Sequence, residues 1–193
     1  MHKPSVVNSE ALAAFELDPD FPYAQAAGIK LLALDVDGVL TDGGLYYNDA
    51  GMYAKRFDCQ DGVAVKLAQE ADIVVAVVTG MESGAVLRRA ETLGIEEIYC
   101  GIFDKLKVMA ALKDKYRLEW SDIAYIGDDW VDLPVLRKAG LALTVRDAQP
   151  EVRGVAHYVS RYGGGRGGVR ELVRHILAAQ NKLEELLLVW LEK

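Results

Sequence analysis

From Ile29 onward the chain alternates between two kinds of apolar pattern. LLALDV (31–36), IVVAVV (73–78), IAYIG (123–127) and LALTV (141–145) are short, nearly continuous apolar runs, as strands are when helices cover both of their faces. Between them, GVAVKLAQEA, SGAVLRRAETLG, KLKVMAALKDKY and WVDLPVLRKAG repeat their apolar residues three and four positions apart, the period of one helix face. This alternation predicts parallel strands joined by crossover helices. The expected fold class is α/β, a three-layer Rossmann-like parallel sheet over residues 29–193.

Three stretches depart from that rhythm. GGLYYNDAGMYAKRF (43–57) has two aromatic-bearing arms about a polar turn ending in Gly51, which predicts a short β-hairpin inserted after the first strand. Residues 1–28 read as an N-terminal extension, where Pro4, Pro19 and Pro22 leave one helical candidate, SEALAAFE, starting at a Ser9 cap. Near the other end, GGGRGG (163–168) precedes a final helix in which Val169, Ile176, Leu183 and Trp190 recur every seventh residue. That stripe suits a core face or a subunit seam, and LLLVWL (186–191), apolar on every side, suits a partner surface. GGGRGG also satisfies GxGxxG, yet no βαβ unit follows it, so it is not a dinucleotide site.

Composition narrows the function. With 193 residues, 51% of them hydrophobic, the chain can bury one substantial core. A formal charge of -7 and a pI near 5.0 argue against nucleic acid or an anionic membrane as partner. LLLVWL is far short of the roughly 20 apolar residues that span a bilayer. Cys59 and Cys100 stand apart and His2, His157 and His175 are scattered, so neither a disulfide framework nor a zinc site is expected. The N-terminus has no signal-peptide core, and the protein is expected to be cytoplasmic.

The chemistry gathers at strand ends. Asp35 and Asp37 close the first strand, near the edge where open α/β sheets place their ligand crevice. Two carboxylates about 7 Å apart repel by roughly 2 kcal/mol at an effective dielectric near 20. A hard divalent cation such as Mg2+ relieves that. Taken alone, Asp37 and Gly38 fit a simple turn equally well. The later junctions add Thr79, then Lys105 (with Lys107 as the alternative), then Asp128, Asp129 and Asp132. Carboxylates for a metal, with a hydroxyl and an ammonium for phosphoryl oxygens, suit phosphoryl transfer.

DVDGV, VVTG, DK and GDDWVD, in that order, resemble the four motifs of the haloacid dehalogenase superfamily of phosphohydrolases. The resemblance implies Asp35 as nucleophile, Asp37 as general acid and then base, and Thr79 and Lys105 on the phosphoryl group. Mg2+ would be held by the side chains of Asp35 and Asp128 and the main-chain carbonyl of Asp37, with Asp129 and Asp132 orienting that shell from behind. With only a hairpin after the first strand, the chain is similar to the capless 3-deoxy-D-manno-octulosonate 8-phosphate phosphatases of lipopolysaccharide biosynthesis. KRFDCQDG, VRDAQPEVRGVAHYVSRYGGGRGGVREL and AAQNKLEE carry that likeness.

The family implies a small phosphorylated sugar acid as substrate and a homotetramer in which hairpins pack together. It also implies that the glycine-rich tail of one subunit reaches a neighbour's site. Lys55, Gln60, Gly80 and Arg166 are the expected substrate contacts. Gln60 and Met81 stand where that family commonly has basic residues, which keeps a nonulosonate 9-phosphate open as substrate. A signalling receiver domain uses similar residues around Mg2+, but it places its phosphoacceptor on a middle strand and its lysine last. Here the acid pair comes first.

Overall fold

A computed structural model describes residues 17–192. Its centre is a six-stranded sheet built from β1 (Leu31–Leu34), β4 (Val74–Val78), β5 (Glu97–Tyr99), β6 (Ile123–Ile126), β7 (Leu141–Thr144) and β8 (Tyr158–Val159). The order is β5-β4-β1-β6-β7-β8 and every pairing is parallel. β2 (Tyr46–Asn48) and β3 (Gly51–Ala54) form a separate antiparallel hairpin, tied to the domain by a Thr41–Phe57 bridge. The helices are α1 (Tyr23–Ala26), α2 (Cys59–Glu70), α3 (Gly84–Leu93), α4 (Lys105–Lys115), α5 (Leu133–Leu136), α6 (Pro150–Val155), α7 (Gly168–Ala179) and α8 (Leu183–Glu192).

β1 lies at the middle because it is apolar on both faces. Leu32 and Leu34 enter the core that includes Ala64 and Val65 of α2 and Val169 and Leu172 of α7. Leu31 and Ala33 enter the opposite core, with Met109 and Leu112 of α4 and Val135 of α5. Side chains alternate along a strand, so Asp35 continues the Leu31 and Ala33 face and emerges on the α4 side. Leu34 is in register with Val77 of β4 and Ile126 of β6. The loops after these three strands therefore leave from one edge of the sheet.

The four strands expected from apolar runs are present, together with two short edge strands, β5 and β8, that have no such run. Residues expected as an extension pack on the domain from Asp18 onward: Phe21 is buried, the Tyr23 hydroxyl meets His175 Nδ1 at 3.0 Å, and the Tyr158 hydroxyl donates to Asp18 at 2.8 Å. The helical candidate at 9–16 lies outside the described residues. The predicted final helix is two helices, broken where Asn181 takes φ 57. Val169 and Ile176 are core residues, whereas Trp190 is exposed on α8, so the seven-residue stripe does not form one seam.

Gly163–Gly168 links β8 to α7. Within the chain it packs on the loop after β1, with the Gly165 N–H donating to the Val39 carbonyl at 2.9 Å.

Candidate active site

Asp35 follows β1 and is 5% exposed. Its Oδ1 accepts the Val36 N–H at 2.7 Å, and its Oδ2 pairs with Lys105 Nζ at 2.8 Å. Lys105 is the first residue of α4, whose cap, Asp104, accepts the Lys107 N–H at 3.2 Å. That start turns Lys105 inward, 1% exposed, and leaves Lys107 exposed, which decides between the two lysines. Nζ of Lys105 also meets Asp132 Oδ1 at 2.7 Å. Held between two carboxylates, this ammonium has a fixed position.

Asp132 explains how the fixed position is achieved. Its Oδ1 also accepts the Tyr125 hydroxyl at 2.6 Å, and its Oδ2 accepts the N–H groups of Asp128 and Asp129 at 3.0 and 3.3 Å. Four donors saturate the acceptor capacity of one carboxylate. Tyr125, in the middle of β6 and opposite Ala33 in register, is a site residue that the sequence did not reveal. An aromatic inside an apolar strand looks like core, and the only signal was its phase with Asp35.

The carboxylate oxygens of Asp35, Asp128 and Asp132 lie within 4.8 Å of one another. Since Asp132 is saturated from behind, Asp35 and Asp128 are the pair left to face a ligand. Asp128 Oδ1 is buried and has no hydrogen-bond partner among the described residues, and the same holds for Thr79 Oγ1 at the end of β4. Burial first, then the charge of Asp132, pushes the Asp35 pKa up to about 7 despite Lys105. Burial and the charges of Asp35, Asp132 and Asp129 push Asp128 up to about 8. Burial disfavours the Lys105 ammonium, yet Asp35 and Asp132 more than offset this and raise its pKa. Fully ionised, three carboxylates around one ammonium leave an excess of two negative charges. This all-oxygen donor set fits a hard divalent cation.

Asp37 is two residues further on, its carboxylate ion-paired with Lys55 of the hairpin exit. The Lys55 side chain is fully buried, and its Nζ lies 3.9 Å from Met81 Sδ. Lys55 therefore supplies the cation on the flank where Met81 supplies none. Gly80 sits between Thr79 and Met81, where a Cβ would meet only the Ile102 carbonyl and Phe103 ring at 3.9 Å. Gln60 is exposed in the first turn of α2, its N–H on the Asp58 cap at 2.7 Å. Arg166 lies at the hairpin base, 3.5 Å from Asp42, a carboxylate it shares with Arg56. Asp129 is exposed and caps the turn Trp130–Asp132. The site thus draws Asp35, Asp37, Lys55, Thr79, Lys105, Asp128 and Asp132 to one edge, with Gln60, Asp129 and Arg166 at its periphery.

A family model for haloacid dehalogenase-like hydrolases matches residues 93–171. The 3-deoxy-D-manno-octulosonate 8-phosphate phosphatase of Escherichia coli strain K12 is 44% identical over 162 residues, 84% of this chain and 86% of that protein. The crystal structure of the Moraxella catarrhalis phosphatase of the same name, in complex with magnesium, phosphate and KDO, superposes with a TM-score of 0.85 at 40% identity. It covers 87% of this chain and 97% of that one. The cobalt-bound phosphatase of Haemophilus influenzae gives a TM-score of 0.80 at 38% identity, over 82% and 93% of the two chains. On this identity across most of its length, the chain belongs to the 3-deoxy-D-manno-octulosonate 8-phosphate phosphatase family of haloacid dehalogenase-like hydrolases.

Proposed function

We propose that this chain is a Mg2+-dependent phosphomonoesterase that releases phosphate from 3-deoxy-D-manno-octulosonate 8-phosphate, with Asp35 as the nucleophile. The observation that carries this reading is the placement of Asp35 between the Lys105 ammonium, 2.8 Å away, and the unpartnered carboxylate oxygen of Asp128. A negative nucleophile meets a negative phosphoryl group here, so catalysis needs fixed positive charge and donors aimed at the phosphoryl oxygens. Lys105 cannot swing away, because Asp132 holds it from the other side. The Thr79 hydroxyl, buried without a partner, has a free proton for a second phosphoryl oxygen. Asp35, Asp128 and the Asp37 carbonyl would hold Mg2+, which supplies the charge that lowers repulsion between carboxylate and phosphate.

Asp35 forms a bond to phosphorus as the bond to the sugar oxygen breaks, and Asp37 gives that oxygen its proton. Asp37 then takes a proton from the water that hydrolyses the aspartyl phosphate, which regenerates both groups. Lys55 orients the Asp37 carboxyl for both transfers. The identity to octulosonate phosphatases favours that sugar over a nonulosonate despite Gln60 and Met81.

Exposed Leu45, Tyr46, Tyr47 and Tyr53 on the hairpin support a homotetramer joined through it. Light scattering at micromolar concentration is expected to give four times the chain mass, and a monomer would refute the assembly. Phosphate release from octulosonate 8-phosphate, compared with a nonulosonate 9-phosphate, tests the substrate. A higher kcat/KM for the octulosonate is expected; the reverse order would overturn that choice.

A further inference from the structure

The run Gly163–Gly168 does more than connect β8 to α7. It is anchored at both ends: Asp147 Oδ1 accepts the Gly164 N–H at 2.9 Å, and buried Asp61 of α2 accepts those of Gly167 and Arg170 at 3.2 and 2.8 Å. Between the anchors, Gly165 donates to Val39, and its carbonyl accepts from Arg56 Nη1 at 2.9 Å. This strap lies on the loop after β1, and at Gly164 and Gly165 the approach leaves no room for a side chain. A Cβ at Gly164 would fall 2.8 Å from the Thr41 carbonyl oxygen and closer still to that of Gly38.

The other side of the same loop is equally tight. A Cβ at Gly38, whose φ is +84, would fall 2.6 Å from the Asp128 carboxyl carbon. Strap, loop and the Asp128 carboxylate are thus stacked in direct contact, each layer touching through a glycine. Asp128 Oδ1 has no hydrogen-bond partner among the described residues, so contact with Gly38 confines the carboxylate on that side. The middle layer also carries Asp37. α7, into which the strap runs, buries Val169, Leu172, Val173, Ile176 and Leu177 completely, which gives the stack a rigid backing.

We infer that Gly164 is a positioning residue: through the Gly38 backbone it sets the distance of Asp128 from Asp35 and Asp37, and so tunes the affinity of the site for Mg2+. The inference rests on the proposed Mg2+ site and is tested by titration calorimetry of Mg2+ into the stripped full-length protein, without substrate. Gly164→Ala is expected to weaken Mg2+ binding by about tenfold or more, the scale seen when groups behind metal ligands are disturbed. Asp147→Ala, which only loosens the strap, is expected to weaken binding by a smaller factor. Gly154→Ala, where an added Cβ meets nothing within 4 Å, is the control and is expected to bind as the wild type does.

In Gly164→Ala and Asp147→Ala, kcat at saturating Mg2+ is expected to fall while KM for the phosphomonoester stays near the wild-type value, and Gly154→Ala is expected to keep both. Should Gly164→Ala fail to fold, Asp147→Ala decides. Wild-type Mg2+ affinity in folded Gly164→Ala, or in Asp147→Ala where Gly164→Ala does not fold, would overturn the inference, whereas no Mg2+ binding by the wild-type chain would overturn the metal reading on which it rests.

Discussion

Replacing Asp128 by Asn should stabilise the metal-free protein, the opposite of what a buried-site substitution usually does. The reason is the crowding of carboxylates. Two charges 4.8 Å apart, the outer spacing of the cluster, repel by roughly 3 kcal/mol at an effective dielectric near 20. Lys105 is already engaged by Asp35 and Asp132, so it compensates Asp128 only in part. The same conclusion follows from titration. The folded pKa of Asp128 is raised to about 8, above its unfolded value, so the folded state binds more protons and gains stability as pH falls from about 8 toward 4. At pH 7 a shift of that size corresponds to about 4 kcal/mol as an upper bound.

Allowing for the partial exposure of Asp128, we expect Asp128→Asn to gain roughly 1–3 kcal/mol in chelator at pH 7, or a Tm about 2–10 °C higher. Saturating Mg2+ should reverse the order. At one thousand times its Kd a ligand adds about 4.1 kcal/mol to the form that binds it, and the variant should lose most of that gain. Thermal unfolding of both proteins, with chelator and with Mg2+, measures all four values. A variant less stable than wild type in chelator, and still fully stabilised by Mg2+, would refute this account of the cluster.

Lys105→Met removes the ammonium that Asp35 and Asp132 share, leaving buried charge uncompensated, and should cost roughly 3–5 kcal/mol by urea denaturation at pH 7. That loss should shrink as pH falls and Asp35 takes up a proton; a pH-independent loss would contradict it. His175 stacks on Phe21 at 4.6 Å, and burial lowers its pKa below the ordinary 6.5. Its contribution is therefore present above pH 6.5 and lost as pH falls through the folded value. Going from pH 7 to pH 5 should therefore favour the folded state less in the wild type than in His175→Gln, and parallel curves for the two proteins would count against the assignment.

The architecture was legible because the strands that build it are apolar on both faces. In LLALDV the run and its two aspartates locate the central strand and its ligand edge at once, since a parallel sheet sends all its strand ends to one side. Lys105 could be placed because it opens KLKVMAALKDKY, whose apolar residues recur with the period of a helix. β5 and β8 escaped notice because EIY and YV are too short to show a period. Tyr125 was hidden among apolar neighbours, and its role depends on the register of β6 with β1.

The pairing of Lys55 with Asp37 depends on how the hairpin folds back, which no local pattern encodes. The glycine strap was least legible of all. A glycine that serves by letting another backbone come close leaves no side-chain chemistry to read, and its partners at Gly38 and Thr41 are more than a hundred residues away in sequence.

The central claim is that the phosphoryl group passes through the Asp35 carboxylate. Acid quenching during turnover, reduction with borohydride and peptide mass spectrometry test it most directly, because reduction converts an aspartyl phosphate to homoserine. The account predicts homoserine at position 35 alone. Homoserine at position 37 or 128, or at no position while phosphate is being released, would contradict it.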